Sequence, residues 1–260
     1  MITGVTTTFN SEATIALTLK SFSEICSEII VVDSGSTDTT LEIVKSYATK
    51  VIHQDYLGNG PQNNTGINNA TNDWIILLDS DEFLDRTAIN AINHIKLKHL
   101  NNESCFEIER KNYIGDRLIP QCGWSPDPQV RLFNRNFFQF KNVIAHSKVV
   151  PLNNRSMLVE KVNGHIEHKS FINYHHLFHK ANTFSTRSAN DFLLRKKKVS
   201  STTPIVHMIV AFIKSYIFKR GFIAGIDGLA ISISQAIYTF LKYAKALENR
   251  SQKNKNMWGE

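Results

Sequence analysis

Three short apolar runs constrain this chain most: Ile2–Phe9, Glu28–Asp33 and Trp74–Asp79. Each is too short for a typical globular helix and rich in β-branched residues, which favours a buried strand. Helix-type segments lie between them. Residues Ala13–Phe22 have helical periodicity after a possible cap at Ser11. Leu41, Val44 and Tyr47 form a helical stripe within Thr39–Ala48. Val51–His53 reads as a further strand, Gly58–Pro61 as a loop and Asn63–Ala70 as a polar helix. Strands alternating with helices imply an α/β fold with a mostly parallel sheet and right-handed crossovers.

In open sheets of this kind, ligands bind outside the carboxyl ends of the strands. Two of the runs end there in acid, at Asp33 and at Asp79-Ser80-Asp81. Strand alternation would point Asp79 and Asp81 the same way. A carboxylate pair favours a hard cation, Mg²⁺ or Mn²⁺, shared with phosphate. A solvated acidic turn is the alternative. Asp33 could accept from a nucleobase N–H, so a nucleoside diphosphate compound would suit the two ends together. No GxGxxG follows a strand and no GxxxxGK[ST] is present, which argues against dinucleotide oxidoreductases and P-loop NTPases.

Charge and cysteine usage narrow the class further. Residues 195–260 hold twelve Lys and Arg against three acids, although the whole chain carries only +7. The positive charge therefore belongs to the tail. No nucleic-acid motif accompanies it, so no nucleic-acid partner is expected. The three cysteines, Cys26, Cys105 and Cys122, form neither a CxxC pair nor a disulfide framework. A reducing, cytoplasmic compartment fits them. The N-terminus lacks a basic segment followed by a long apolar one, so no signal peptide is expected. His175 and His179 lie four apart, but zinc would need further ligands, and polar surface histidines are the preferred reading.

Thr6–Glu12 (TTTFNSE), Ile29–Thr40 (IIVVDSGSTDTT) and Trp74–Glu82 (WIILLDSDE) resemble family 2 glycosyltransferases of the GT-A fold. Cys122–Arg135 (CGWSPDPQVRLFNR), Ala145–Ser147, Ile166–Phe171 and Lys219–Leu229 are similar to its WaaE/LgtF-like branch, which builds lipopolysaccharide inner core. The resemblance implies an inverting, metal-dependent transfer of a sugar, glucose first, from a UDP-sugar to a lipid-linked saccharide. It implies that Asp33 contacts the uracil, with Thr8 and Glu12 near the nucleoside. Asp79 would lie by the ribose, Asp81 on the metal, and Arg131 by the diphosphate or the acceptor. A late histidine, His168, would be an extra metal or diphosphate ligand, against a buried hydrogen-bonded histidine.

The chain also departs from that branch. Where relatives commonly carry Val-His-Glu, it has Ala145-His146-Ser147, and where they carry Gln-Lys-Asn it has Gln62-Asn63-Asn64. The glutamate is the natural general base, and a serine hydroxyl has no useful basicity at neutral pH. Asp127 or His146 would have to serve. The alternative is a catalytically degenerate relative that only binds the sugar nucleotide.

The expected organisation is a GT-A domain over residues 1–190 and a basic, amphipathic helical appendage over 191–260. Gly221–Leu241 is long enough to span a bilayer but carries three glycines, two serines, a glutamine and Asp227. Helices that complete the core, or lie at an anionic membrane surface, fit it better. The expected location is the inner face of the cytoplasmic membrane, peripherally bound.

Overall fold

The computed structural model describes residues 1–95, 103–143, 147–154, 156–194 and 199–258. The chain divides into two compact units, 1–111 with 126–169, and 112–125 with 170–260. Residue 190, where the sequence reading divides the chain, lies inside a long helix of the second unit.

The first unit opens with β1 (Ile2–Thr8), α1 (Ile15–Ser23), β2 (Glu28–Asp33), α2 (Thr40–Lys45), β3 (Lys50–His53), α3 (Asn59–Asn68) and β4 (Trp74–Leu77). Then come β5 (Glu82–Leu84), α4 (Arg86–His94) and β6 (Ser104–Ile114). β7 (Arg117–Leu118) is a short hairpin partner of β6, followed by β8 (Pro128–Asn134), β9 (Phe138–Phe140), β10 (Val149–Pro151) and β11 (Leu158–Phe171). The main sheet runs β3-β2-β1-β4-β8-β6-β11-β5, and β9 pairs with β10 separately. The first four strands are parallel, as the strand–helix alternation predicts. Antiparallel pairing begins where β8 joins β4.

Both faces of the parallel half are covered, which explains its unbroken apolar runs. Along β2 and β4, Ile29, Val31, Trp74 and Ile76 enter one core with Ile15, Leu19 and Phe22 of α1 and Ile89 and Ile92 of α4. Ile30, Ile75 and Leu77 enter the other, with Ile67 of α3 and Phe138 and Phe140 of β9. Helix α3 begins at Asn59, inside the expected loop. Pro61 falls in its first turn, where a missing N–H costs nothing.

The second unit contains α5 (Tyr174–Leu194), α6 (Thr203–Ile213), a π turn over Lys214–Phe218, a 3₁₀ turn over Gly221–Ala224 and α7 (Gly225–Trp258). α7 packs on α5 and α6. Ile114, Ile119, Cys122, Leu177 and Ile231 form its core. Asp227, the acid within the apolar stretch, is turned inward: Arg117 reaches it at 2.8 Å and the Tyr174 hydroxyl donates at 2.7 Å. All three cysteines are free thiols.

Candidate active site

The carboxyl ends of β1, β2 and β4 lie side by side, and hydrogen bonds join the loops that leave them. Thr8 and Asp33 are register partners across β1 and β2. Asp33 is buried and accepts from Gly35 N, at 2.9 Å, and from Ser36 N and Oγ. This Asx-type turn shapes the DSGST loop. The Ser36 amide is shared between both oxygens, and His53 Nδ1 lies 3.8 Å from Oδ2. The Thr8 hydroxyl is buried and finds no partner among the described residues. Such an orphan at a strand end marks a place where a ligand or water completes the structure.

Glu12 accepts from Thr39 N at 3.1 Å and Thr39 Oγ1 at 2.7 Å. Asn10 takes the Thr37 amide, and Ser11 bonds both Thr40 and Ser80. The Ser11–Ser80 contact, 2.9 Å, ties the first loop to the aspartate turn.

The two aspartates are not placed by strand alternation. β4 ends at Leu77, and residues 79–82 form a tight turn closed by Glu82 N donating to Asp79 O at 2.9 Å. The turn then feeds β5. Asp81 Oδ1 lies 3.4 Å from His168 Nε2, both side chains partly exposed, while Lys169 N donates to Asp81 O. His168 holds this position because β11 pairs with β5, opposing His168 to Glu82.

Asp79 is held by Arg131 at 3.1 Å. Arg131 is the extra residue of a bulge in β8: Leu132 opposes Phe106 and Val130 opposes Glu107, which leaves Arg131 between them. A bulge re-aims a side chain. Here it turns the guanidinium onto the carboxylates, burying it with Nε unpaired among the described residues.

Sequence reasoning did not single out Glu82. Its side chain is fully buried, accepts from Asp79 N, and pairs with Arg131 at 2.8 Å and Arg110 at 2.7 Å. Burial opposes its charge, but the two arginines and His168 win and hold its carboxyl at about 2. Arg110 continues the chain, reaching Asp127 Oδ2 at 2.8 Å. Gln129 donates to Asp127 Oδ1 at 2.6 Å. Asp79, Arg131, Glu82, Arg110 and Asp127 thus form one continuous ion network. The signal available in the sequence was charge inside strand-like runs, at Glu82, Arg110 and Arg131.

On α3, Gln62 donates to Ser34 Oγ and Gln54 O, and Asn64 to Phe140 O. These polar side chains brace α3 on either side of Asn63. His146 lies outside the described residues. Ser147 donates its hydroxyl to Lys141 O at 2.6 Å.

Asp81 and His168 can hold a metal. No group of three or more His, Cys, Asp and Glu side chains is arranged around a metal among the described residues. One carboxylate oxygen and one imidazole nitrogen could join a divalent ion that takes its remaining ligands from diphosphate and water.

Residues 4–101 match the model described as glycosyl transferase family 2. The chain is similar to an uncharacterized glycosyltransferase of Rickettsia typhi, 34% identical over 260 residues, with 96% of this chain and 87% of that protein covered. It is also similar to LpsC of Rhizobium meliloti, a lipopolysaccharide core biosynthesis glycosyltransferase, at 25% identity over 94% of this chain and 91% of that one. Among solved structures, the mannosyltransferase PcManGT of Pyrobaculum calidifontis, in complex with GDP-Man and Mn²⁺, superposes with a TM-score of 0.49. It is 15% identical, over 96% of this chain and 87% of that chain.

Proposed function

The chain belongs to glycosyl transferase family 2, and we propose that it moves a sugar, glucose first among candidates, from a UDP-sugar to a lipid-linked saccharide. The observation that carries the donor reading is the junction of three strand-end loops around Thr8, Asp33 and Asp81, with a buried hydroxyl unpaired. Similarity to LpsC supports an acceptor of the lipopolysaccharide-core kind.

Asp33 contacts the uracil, taking its N3–H in exchange for one of the shared loop contacts, and the Thr8 hydroxyl gains a partner beside it. Glu12 acts through the loop it staples to Thr39. Asp79 faces the ribose. Arg131 reaches the donor only through Asp79, so it is a positioning residue. Asp81 and His168 would hold Mg²⁺ or Mn²⁺, which when bound supplies Lewis-acid stabilisation of the departing diphosphate.

In the transfer, an acceptor oxygen forms the bond to C1 as the C1–phosphate oxygen bond breaks and UDP leaves. The acceptor proton passes to Asp127, whose carboxylate stays oriented by Arg110 and Gln129. One observation favours a second reading, a sugar-nucleotide-binding relative without turnover. The Ser147 hydroxyl donates to backbone, and Asp127 is already held by two donors.

The test is UDP release by the purified protein over a panel of UDP-sugars, with Mn²⁺ or Mg²⁺ and a lipid-linked saccharide acceptor. Turnover that falls by ~10²-fold or more in Asp81→Ala supports the enzyme. UDP binding without release, across donors and acceptors, establishes the second reading instead.

A further inference from the structure

The longest apolar helix is not the one that offers most of its apolar face to solvent. Gly221–Asn249 passes for a membrane span by length and composition, yet α7 carries the core residues Ile231, Ala236 and Ala246 and packs on α5 and α6. The exposed apolar side chains lie just before and at its start. Ile205, Ile209, Ile213 and Ile217 recur every four residues along α6 and the π turn, and all are exposed. Val206 and Val210 widen the stripe by one position. An α-helical i, i+4 row drifts around the helix; the wider π turn swings Ile217 back toward the row. Beyond the turn, Phe218 is 77% exposed and Ile226 67%, with Phe222 and Ile223 exposed between them.

Exposed apolar patches of this size mark an interaction surface. The charge around it selects the partner. No acid occurs from residue 195 to residue 226. Lys214, Lys219 and Arg220 stand exposed among the apolar residues. The next acid, Asp227, is buried against Arg117 and Tyr174 and contributes no exposed negative charge to the face. A second copy of the chain, docked two-fold on the same face, would press these cations together. An apolar segment that carries exposed cations and no exposed acid of its own matches the acyl–headgroup boundary of an anionic bilayer.

We propose that α6 and the turns over residues 214–226 form a monotopic membrane-docking face that takes anionic lipid, with α7 as its buried support. The proposal deepens the lipid-linked acceptor reading by naming the surface, and it rests on that reading only for its biological purpose.

Flotation with vesicles of phosphatidylcholine, alone or with phosphatidylglycerol, tests it without sugar donor or acceptor. Failure here therefore leaves the transfer chemistry to be judged by UDP release. The full chain is expected to float with phosphatidylglycerol vesicles, more weakly with phosphatidylcholine alone, and less at high salt. Val210→Glu with Ile217→Glu should lower partitioning at least tenfold while far-UV circular dichroism stays unchanged. Val210→Ser with Ile217→Ser, which adds no charge, should give an intermediate loss. Lys214→Gln with Arg220→Gln should erase the preference for phosphatidylglycerol. Stripe variants that bind like the parent overturn the proposal. So does a dimer, seen by sedimentation, that the same substitutions dissociate.

Discussion

Replacing Glu82 with glutamine removes the charge on which the ion network turns and leaves the shape almost unchanged. The Glu82 side chain is 0% exposed, and guanidinium nitrogens of Arg110 and Arg131 lie 2.7 and 2.8 Å from it. At an effective dielectric of about 20, unit charges ~4 Å apart attract by ~4 kcal/mol. Burying the ions cancels much of that gain when the network is intact. Removing one partner does not restore what burial cost, because both arginines stay where they are. Losing one member of a buried pair costs about 3–5 kcal/mol. The lower end applies here, since Asp79 still faces Arg131 and Asp127 still faces Arg110. Glu82→Gln should therefore lose ~3 kcal/mol, from a total of about 5–15 kcal/mol for an ordinary domain. Urea unfolding followed by the fluorescence of buried Trp74, against far-UV circular dichroism, measures it. In a double-mutant cycle, Arg110→Met should cost at least ~1 kcal/mol less in the Glu82→Gln background than in the parent, because it removes a cation that has already lost one of its two carboxylate partners. A Glu82→Gln loss below ~0.5 kcal/mol, with additive behaviour in the cycle, would refute the reasoning. The turn would then be held by the strands on either side of it.

Other substitutions reach different parts of the molecule. A Cβ on Gly60 would meet the carbonyl oxygen of Lys141 at 2.0 Å, so Gly60→Ala should shift the start of α3 and cost about 1–3 kcal/mol by urea unfolding. Hydrogen bonds from Arg117, then Tyr174, hold the Asp227 carboxyl below its usual range against the burial that opposes them. A depressed carboxylate stabilises the fold above its unfolded value of about 3.9 and stops doing so as pH falls through the lower folded value. The melting temperature of the parent should therefore exceed that of Asp227→Asn at pH 6, by a margin that shrinks below about pH 4. If Asp127 takes the acceptor proton, Asp127→Asn should lower kcat by about 10²–10⁴ with KM little changed. If the missing carboxylate limits turnover instead, Ser147→Glu should raise UDP release and Asp127→Asn should leave it alone.

The parallel half of the sheet was legible because β1, β2 and β4 are buried on both faces. Such strands read as unbroken apolar runs, and the loops that follow them carry Asp33 and the DSD turn. The antiparallel half was not legible. β8 carries Arg131 in the middle of its run, and the bulge that accommodates it leaves no mark on residue spacing. The direction of Asp79 and Asp81 was also beyond the pattern. Alternation governs side chains only while the chain is a strand, and β4 stops at Leu77. Their directions come from the partners they meet, Arg131 on β8 and His168 on β11, both remote in sequence. Glu82 went unremarked for the same reason: a carboxylate after an acidic turn looks solvated until the strands that bury it are known.

The tail shows the converse limit of reading hydropathy along a line. The stretch from Gly221 is the more conspicuous in the sequence, because it is long and nearly uncharged. Past its first turn it packs on α5 and α6 with Ile231, Ala236 and Ala246 buried, whereas the shorter α6 leaves a row of isoleucines at every fourth position uncovered. Length measures whether a helix could cross a bilayer; coverage by neighbouring helices decides whether it has apolar surface left to offer one. A chain can therefore meet lipid through a helix too short to span it, with the span-length helix as internal support. The cations at Lys214, Lys219 and Arg220 sit where that division predicts them, beside the uncovered row and not along the buried face of α7.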